Sequence, residues 1–110
     1  MSPDTAREFY RIAYPAKARP KLDVAGFSFE VLDLSERGIR FKLGDASAPE
    51  SGFQLQGTLK FVRGVTAEIV GTVLRVQNGQ VAAVLDEGVP PSVIRAEQRY
   101  LLENSRKFQR

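Results

Sequence analysis

The chain has 110 residues, 43% hydrophobic and 26% charged, with a net charge of +3, values that fit one globular domain with a modest core rather than a disordered segment. It contains no Cys and no His, which excludes disulfides, a thiolate nucleophile, an imidazole base and the usual zinc sites. No apolar run approaches the roughly 20 residues of a spanning helix, and "MSPDTAREFYR" lacks the apolar block of a secretion signal, so a cytoplasmic protein without membrane insertion is expected.

Charge is unevenly spread. Residues 1–21 carry five basic side chains against two acidic ones, residues 91–110 carry the same numbers, and the middle is acidic. Basic ends suit an anionic ligand or partner near a terminus, and they equally suit solubilising tails. Within the first stretch, Arg7 and Arg11 stand four apart in "REFYR". In a helical turn that spacing puts two side chains on one face about 6 Å apart, and in an extended chain about 13 Å apart on the same side. Two guanidinium forks so placed can converge on one anion, since each makes paired hydrogen bonds to a phosphate or to O6 and N7 of guanine.

The middle of the chain reads as β structure. From Gly26, "GFSFEVLDL" sets Phe27, Phe29 and Val31 against Ser28 and Glu30, the period of two of a half-buried strand. "GIRFKL" repeats it with Ile39, Phe41 and Leu43 against Arg40 and Lys42, and "TLKFV" places Leu59 and Phe61 opposite Lys60 before a turn at Arg63-Gly64. Gly44 to Gly52 reads as a loop. "VTAEIVGTVLRV" and "QVAAVL" are joined by Asn78-Gly79, a strong hairpin signal because both residues tolerate positive φ. Short strands at this spacing predict a small antiparallel barrel or sandwich.

Between the first two of these strands lies "DLSERG", Asp33 to Gly38. Ser35 to Gly38 suits a four-residue turn, but the turn does not require Asp33. Continued alternation would put Val31, Asp33 and Ser35 on one side, so that the apolar face turns polar near the rim. A carboxylate and a hydroxyl there can accept hydrogen bonds from guanine N1 and N2 and meet a phosphate or sugar, while Gly38 lets backbone approach a flat ligand.

After the strands, "VPPSVIRAEQRYLLENSRKFQR" opens with a proline pair suited to a first helical turn. Ile94, Leu101 and Phe108 recur seven apart with Val93 and Tyr100 beside them, an apolar stripe that either covers an open end of the barrel or forms a seam to a second copy. Glu97, Gln98, Asn104 and Ser105 interrupt a continuous seam, which favours the capping role.

R-x-x-x-R followed after one strand by D/N-x-S-x-x-G resembles the PilZ domain, a bacterial receptor module for cyclic di-GMP. Arg7 and Arg11 fall on the first motif, and Asp33, Ser35 and Gly38 on the second; "EIVGTVLRV" and "GVPPSVIRAEQRYLL" continue the likeness. The resemblance implies an all-β domain with a C-terminal helix: a six-stranded antiparallel β-barrel of split-barrel type over residues 14–88, a flexible ligand-binding segment over 1–13, and a helix over 91–109. It implies ligand contacts from Arg7, Arg11, Asp33, Ser35 and Gly38, with Arg37, Arg40, Gly71, Leu74 and Arg75 as further candidate contacts. Leu74 and Arg75 stand where some members place an aromatic ring, and Ala6 where some carry a further Arg.

The expected function is second-messenger signalling, as in motility or biofilm formation. Cyclic di-GMP orders the arginine segment against the barrel and changes the surface shown to a downstream protein partner. No metal, no further cofactor, no nucleic acid and no catalysis are expected, and the chain is a monomer or a weak homodimer. The rivals are a PilZ-fold adaptor that binds no nucleotide, a barrel that binds single strands through basic ends and exposed Phe9, Tyr10 and Tyr14, and, least favoured, an enzyme, for which Asp33, Ser35 and Glu36 are a poor general-base set.

Overall fold

The structure, a computed structural model, describes residues 11–108. Seven strands, β1 (Ile12–Ala13), β2 (Lys21–Val24), β3 (Phe27–Leu34), β4 (Gly38–Lys42), β5 (Gln54–Lys60), β6 (Thr66–Gln77) and β7 (Gln80–Glu87), precede one helix, α1 (Pro91–Glu103). Every pairing is antiparallel. The neighbours run β3, β2, β5, β6, β7, β4, and β4 pairs back onto β3, so six strands close a barrel and β1 lies outside the ring against β3. Closure leaves the ring without a free edge, and the expected six-stranded antiparallel barrel is the fold observed.

Alternate side chains fill the barrel. Leu22, Val31, Phe41, Leu59, Ile69, Val73, Val81 and Leu85 are all buried, as a period of two requires when one face of each strand is dry. Asn78 and Gly79 both adopt positive φ, 56° and 74°, and set Gln77 opposite Gln80, the hairpin the dipeptide predicts. A similar pair, Ala25 at 51° and Gly26 at 88°, joins β2 to β3. The sequence reading did not assign β2, because "KLDV" is short and offers only Leu22 and Val24 as an apolar row.

α1 closes the end of the barrel where β3, β5 and β7 finish. Ile94 is buried, and Val93, Leu101 and Phe108 pack against the core. The helix ends at Glu103, short of the expected 109. There Asn104 donates its side-chain amide to the Tyr100 carbonyl at 2.8 Å and leaves helical backbone geometry at φ −115°, the competition with the backbone that makes Asn a poor helix interior residue. The turns that follow bring Phe108 onto Tyr100, with ring centroids 5.7 Å apart.

At this end sits a buried polar cluster. Tyr14 donates its hydroxyl to Glu97 Oε1 at 2.6 Å, and Arg63 Nε donates to Glu97 Oε2. Tyr14, expected among exposed aromatics, is therefore a core residue. Burial first, and then the bond to Glu97, raises its hydroxyl well above the ordinary pKa of 10.0.

Candidate ligand-binding groove

Strand β3 carries an irregularity that decides which way its polar residues point. Val31 pairs with Phe41, but Asp33 pairs with Arg40 and Leu34 with Ile39, a slip of one residue. Such a bulge reverses the alternation beyond it. Leu34 and Ile39 thus enter the core, both buried, while Asp33 turns to the outer wall with Arg40. The expected common face of Val31, Asp33 and Ser35 is not what forms, because the bulge separates Val31 from Asp33.

Asp33 organises the outer wall. Arg11 Nη1 donates to its Oδ1 at 2.7 Å, and Arg40 donates to its Oδ2 through Nε at 2.8 Å and through Nη2. The carboxylate side chain is only 2% exposed, whereas Arg11 is 59% and Arg40 48% exposed. One buried charge thus holds two guanidinium groups at the surface, and each keeps donors directed to solvent, because a guanidinium carries five N–H bonds. Arg11 is fixed by the strand that follows it, since Ala13 pairs with Asp33 and Ile12 with Leu34.

The turn beside Asp33 is held from behind. Ser35 N–H donates to the Gly38 carbonyl at 2.9 Å, and Leu85 N–H to the Arg37 carbonyl at 2.9 Å. Gly88 lies so close to the turn that an added Cβ would stand 1.9 Å from the Glu36 carbonyl oxygen, a contact no other residue could make. On the front, a Cβ on Gly38 would lie in ordinary contact with Ser35 Oγ, at 3.5 Å, and Ser35 itself is buried.

These residues open onto a groove of about 610 Å³ lined by Arg11, Ser35, Arg37, Gly38, Arg40, Leu74 and Arg75 over a floor that includes Ala82 and Val84. Register builds the floor. Arg40 and Arg75 both pair with Ala82, from opposite sides, and Gly38 pairs with Val84. A methyl group therefore separates two cations, and the floor stays flat. A smaller recess of about 110 Å³ continues from it past Gln77, Asn78 and Gln80. A flat floor with cations on several sides suits a planar, multiply anionic ligand.

Of the residues singled out in the sequence, Arg11, Ser35, Arg37, Gly38, Arg40, Leu74 and Arg75 line this groove, and Asp33 stands behind Arg11 and Arg40 with both oxygens bound to them, so it does not offer them to a guanine. Arg7 lies outside the described residues. Gly71 does not reach the groove: it is buried, and a Cβ there would meet the Val84 carbonyl at 2.8 Å, so it allows close packing of β6 on β7. Ala82 was not foreseen. Its only trace is the pair of alanines in "QVAAVL", where a strand would ordinarily carry larger residues. Among the described residues, no three His, Cys, Asp or Glu side chains cluster as metal ligands, and no helix is long and apolar enough to cross a membrane.

A small antiparallel barrel with a helix across one end and a cationic groove on its wall is the class this geometry defines. Residues 5–103 match the PilZ domain, and the chain belongs to that family. No curated protein matches the chain. Among solved structures it is similar to the Bacillus subtilis Inhibitor of motility (MotI/DgrA), with a TM-score of 0.66 and 15% identity, over 94% of this chain and 52% of that one. The chain thus spans about half the length of the Bacillus protein. It is also similar to an uncharacterized Legionella protein, with a TM-score of 0.57 and 15% identity, over 89% of this chain and 98% of that one. Both likenesses are of fold.

Proposed function

We propose that the groove receives cyclic di-GMP and that the protein is a receptor, not an enzyme. The observation that carries the reading is the buried Asp33, which presents Arg11 and Arg40 at the edge of a flat floor shared with Arg75. The ligand offers two phosphates and two guanines to match. Guanidinium forks meet the phosphates or the O6 and N7 edge, Ser35 supplies a hydroxyl, and a purine lies over Gly38 and Ala82. Arg7, from the segment that precedes Arg11, closes over the ligand.

Magnitudes are compatible with this. Hydrogen bonds to charged groups contribute roughly 1.5 to 3 kcal/mol each, against about 1 to 2 kcal/mol for each residue ordered. Binding of the ordered segment thus requires that such bonds outweigh the cost of the residues they fix. The ordered segment changes the surface shown to a partner protein, and the likeness to a protein named as an inhibitor of motility supports a partner in a motility system. A receptor for an intracellular messenger acts in the cytoplasm.

The test is isothermal titration with cyclic di-GMP, with GTP and cyclic di-AMP as controls and recovery of the nucleotide afterwards. Saturable heat for cyclic di-GMP alone, with the ligand recovered intact, is expected. Equal response to cyclic di-AMP would overturn the reading. One feature favours the adaptor alternative: both Asp33 oxygens are already occupied by arginines, an arrangement complete without nucleotide. A null titration with all three compounds would select it.

A further inference from the structure

The exposed side of α1 carries a surface that the nucleotide reading leaves unused. Leu102 is 77% exposed, the most exposed large hydrophobic residue among those described. On a helix its neighbours at three, four and seven residues back are Arg99, Gln98 and Arg95. Arg95 and Arg99 are both exposed. Among the described residues, neither forms an ion pair. Glu103, exposed and four residues after Arg99, forms no ion pair with it among the described residues, and Glu97 is turned inward to Tyr14 and Arg63.

Beside Leu102 runs a groove of about 400 Å³, lined by Arg11, Ile12, Ala13, Gln98, Leu101 and Leu102. One wall is β1, which among the described residues pairs with β3 alone. Arg11 belongs both to this groove and to the cationic groove on the barrel wall.

We infer that this groove is a docking surface for an acidic segment of a partner protein with an apolar anchor that covers Leu102. The charge decides the occupant. A second copy of the chain would oppose basic helix to basic helix, since residues 91–110 carry five basic side chains against two acidic ones, and like charges across an interface disfavour association. A lipid surface is broad and cannot enter a concave groove, and one exposed leucine is a weak insertion anchor. A segment of chain fits the groove, pairs with Arg95 and Arg99, and can use the β1 edge. Because Arg11 lines both grooves, a ligand that engages it in the barrel-wall groove alters the docking surface. That coupling rests on the nucleotide reading above; the surface itself does not.

The test is selection of a random-peptide phage library on the full chain without nucleotide, followed by binding of the recovered peptides to Leu102→Ser and to the double variant Arg95→Glu/Arg99→Glu. Peptides with several acidic residues around an aliphatic or aromatic anchor are expected, bound about tenfold or more weakly by either variant, while both variants keep the parent urea midpoint and cyclic di-GMP titration. Neutral or basic peptides, no enrichment, or binding indifferent to both variants would overturn the inference. So would phosphatidylserine vesicle binding lost in the double variant without peptide recovery, which makes the surface a membrane contact, or a dimer abolished by Leu102→Ser, which makes it a self-interface. The two readings separate cleanly. Peptide binding with a null nucleotide titration removes the receptor and leaves the surface, and the converse removes the surface alone.

Discussion

Asp33 and Glu97 are both buried carboxylates, 1% and 2% exposed, and each is held by two partners. Their partners differ. Glu97 is bound by Tyr14, itself buried, and by Arg63, whose side chain is only 21% exposed. Asp33 is bound by two arginines about half in solvent. The first set is mostly enclosed, since Tyr14 and Glu97 are buried and Arg63 is largely so, and it joins the segment after β1, the loop after β5 and α1. The second set is open, and its cations have hydrogen bonds left to give. Burial of a charge therefore does not tell an enclosed cluster from an open one, whereas the exposure of its partners does.

Removing the closed carboxylate should have the largest effect. Glu97→Ala leaves Arg63 without its anion and Tyr14 without an acceptor, and a loss of about 3 kcal/mol is expected, the lower part of the range for a broken buried pair because Arg63 keeps some access to water. Urea unfolding reads it directly, and a loss below about 1 kcal/mol would show that the cluster is not a closed one. Asp33→Ala should cost less stability, about 1 kcal/mol, because the released arginines turn to solvent. The same change should weaken cyclic di-GMP binding by more than about tenfold, since the cations lose their positions.

Arg11→Ala sharpens the contrast. Binding should fall by roughly ten- to a hundredfold while the urea midpoint without ligand stays within about 0.5 kcal/mol of the parent. Equal titration curves for variant and parent would refute a role for Arg11 at the groove. The smallest expected effect is that of Tyr14→Phe, about 1 kcal/mol for one hydrogen bond, and it carries a pH signature. The folded protein holds the Tyr14 proton more tightly than the unfolded chain does, because burial and Glu97 raise its pKa above 10.0. Its contribution is complete below pH 10.0 and declines as the pH climbs above that value. Urea midpoints at pH 9 and 11 should therefore differ more for the parent than for Tyr14→Phe, and equal differences would place the Tyr14 hydroxyl outside the closed cluster.

Much of the barrel was legible because its strands write their own periodicity. Phe27 to Val31, Ile39 to Leu43 and the Asn78-Gly79 hairpin each depend on neighbours a few residues away. β1 and β2 were missed because two and four residues carry too few alternations to be read. The groove was legible in part. "DLSERG" and the arginine at position 11 gave its chemistry, but the direction of Asp33 depends on a bulge that exists only when β3 is paired with β4, and Ala82 becomes a floor only when register sets Arg40 and Arg75 on either side of it. Glu97 gave no signal, since a glutamate in an amphipathic helix reads as solvent-facing until a tyrosine 83 residues earlier in the chain is brought against it.

By itself the sequence determined which residues alternate, where the chain turns, and that arginines, a carboxylate and a hydroxyl would be available near one hairpin. The tertiary structure alone decided which of the two carboxylates is held by solvent-exposed arginines and which by partners inside the protein. The reason is that periodicity is a local property of the backbone, whereas the face a charge occupies and the partners that meet it are set by register and closure between strands distant in the chain.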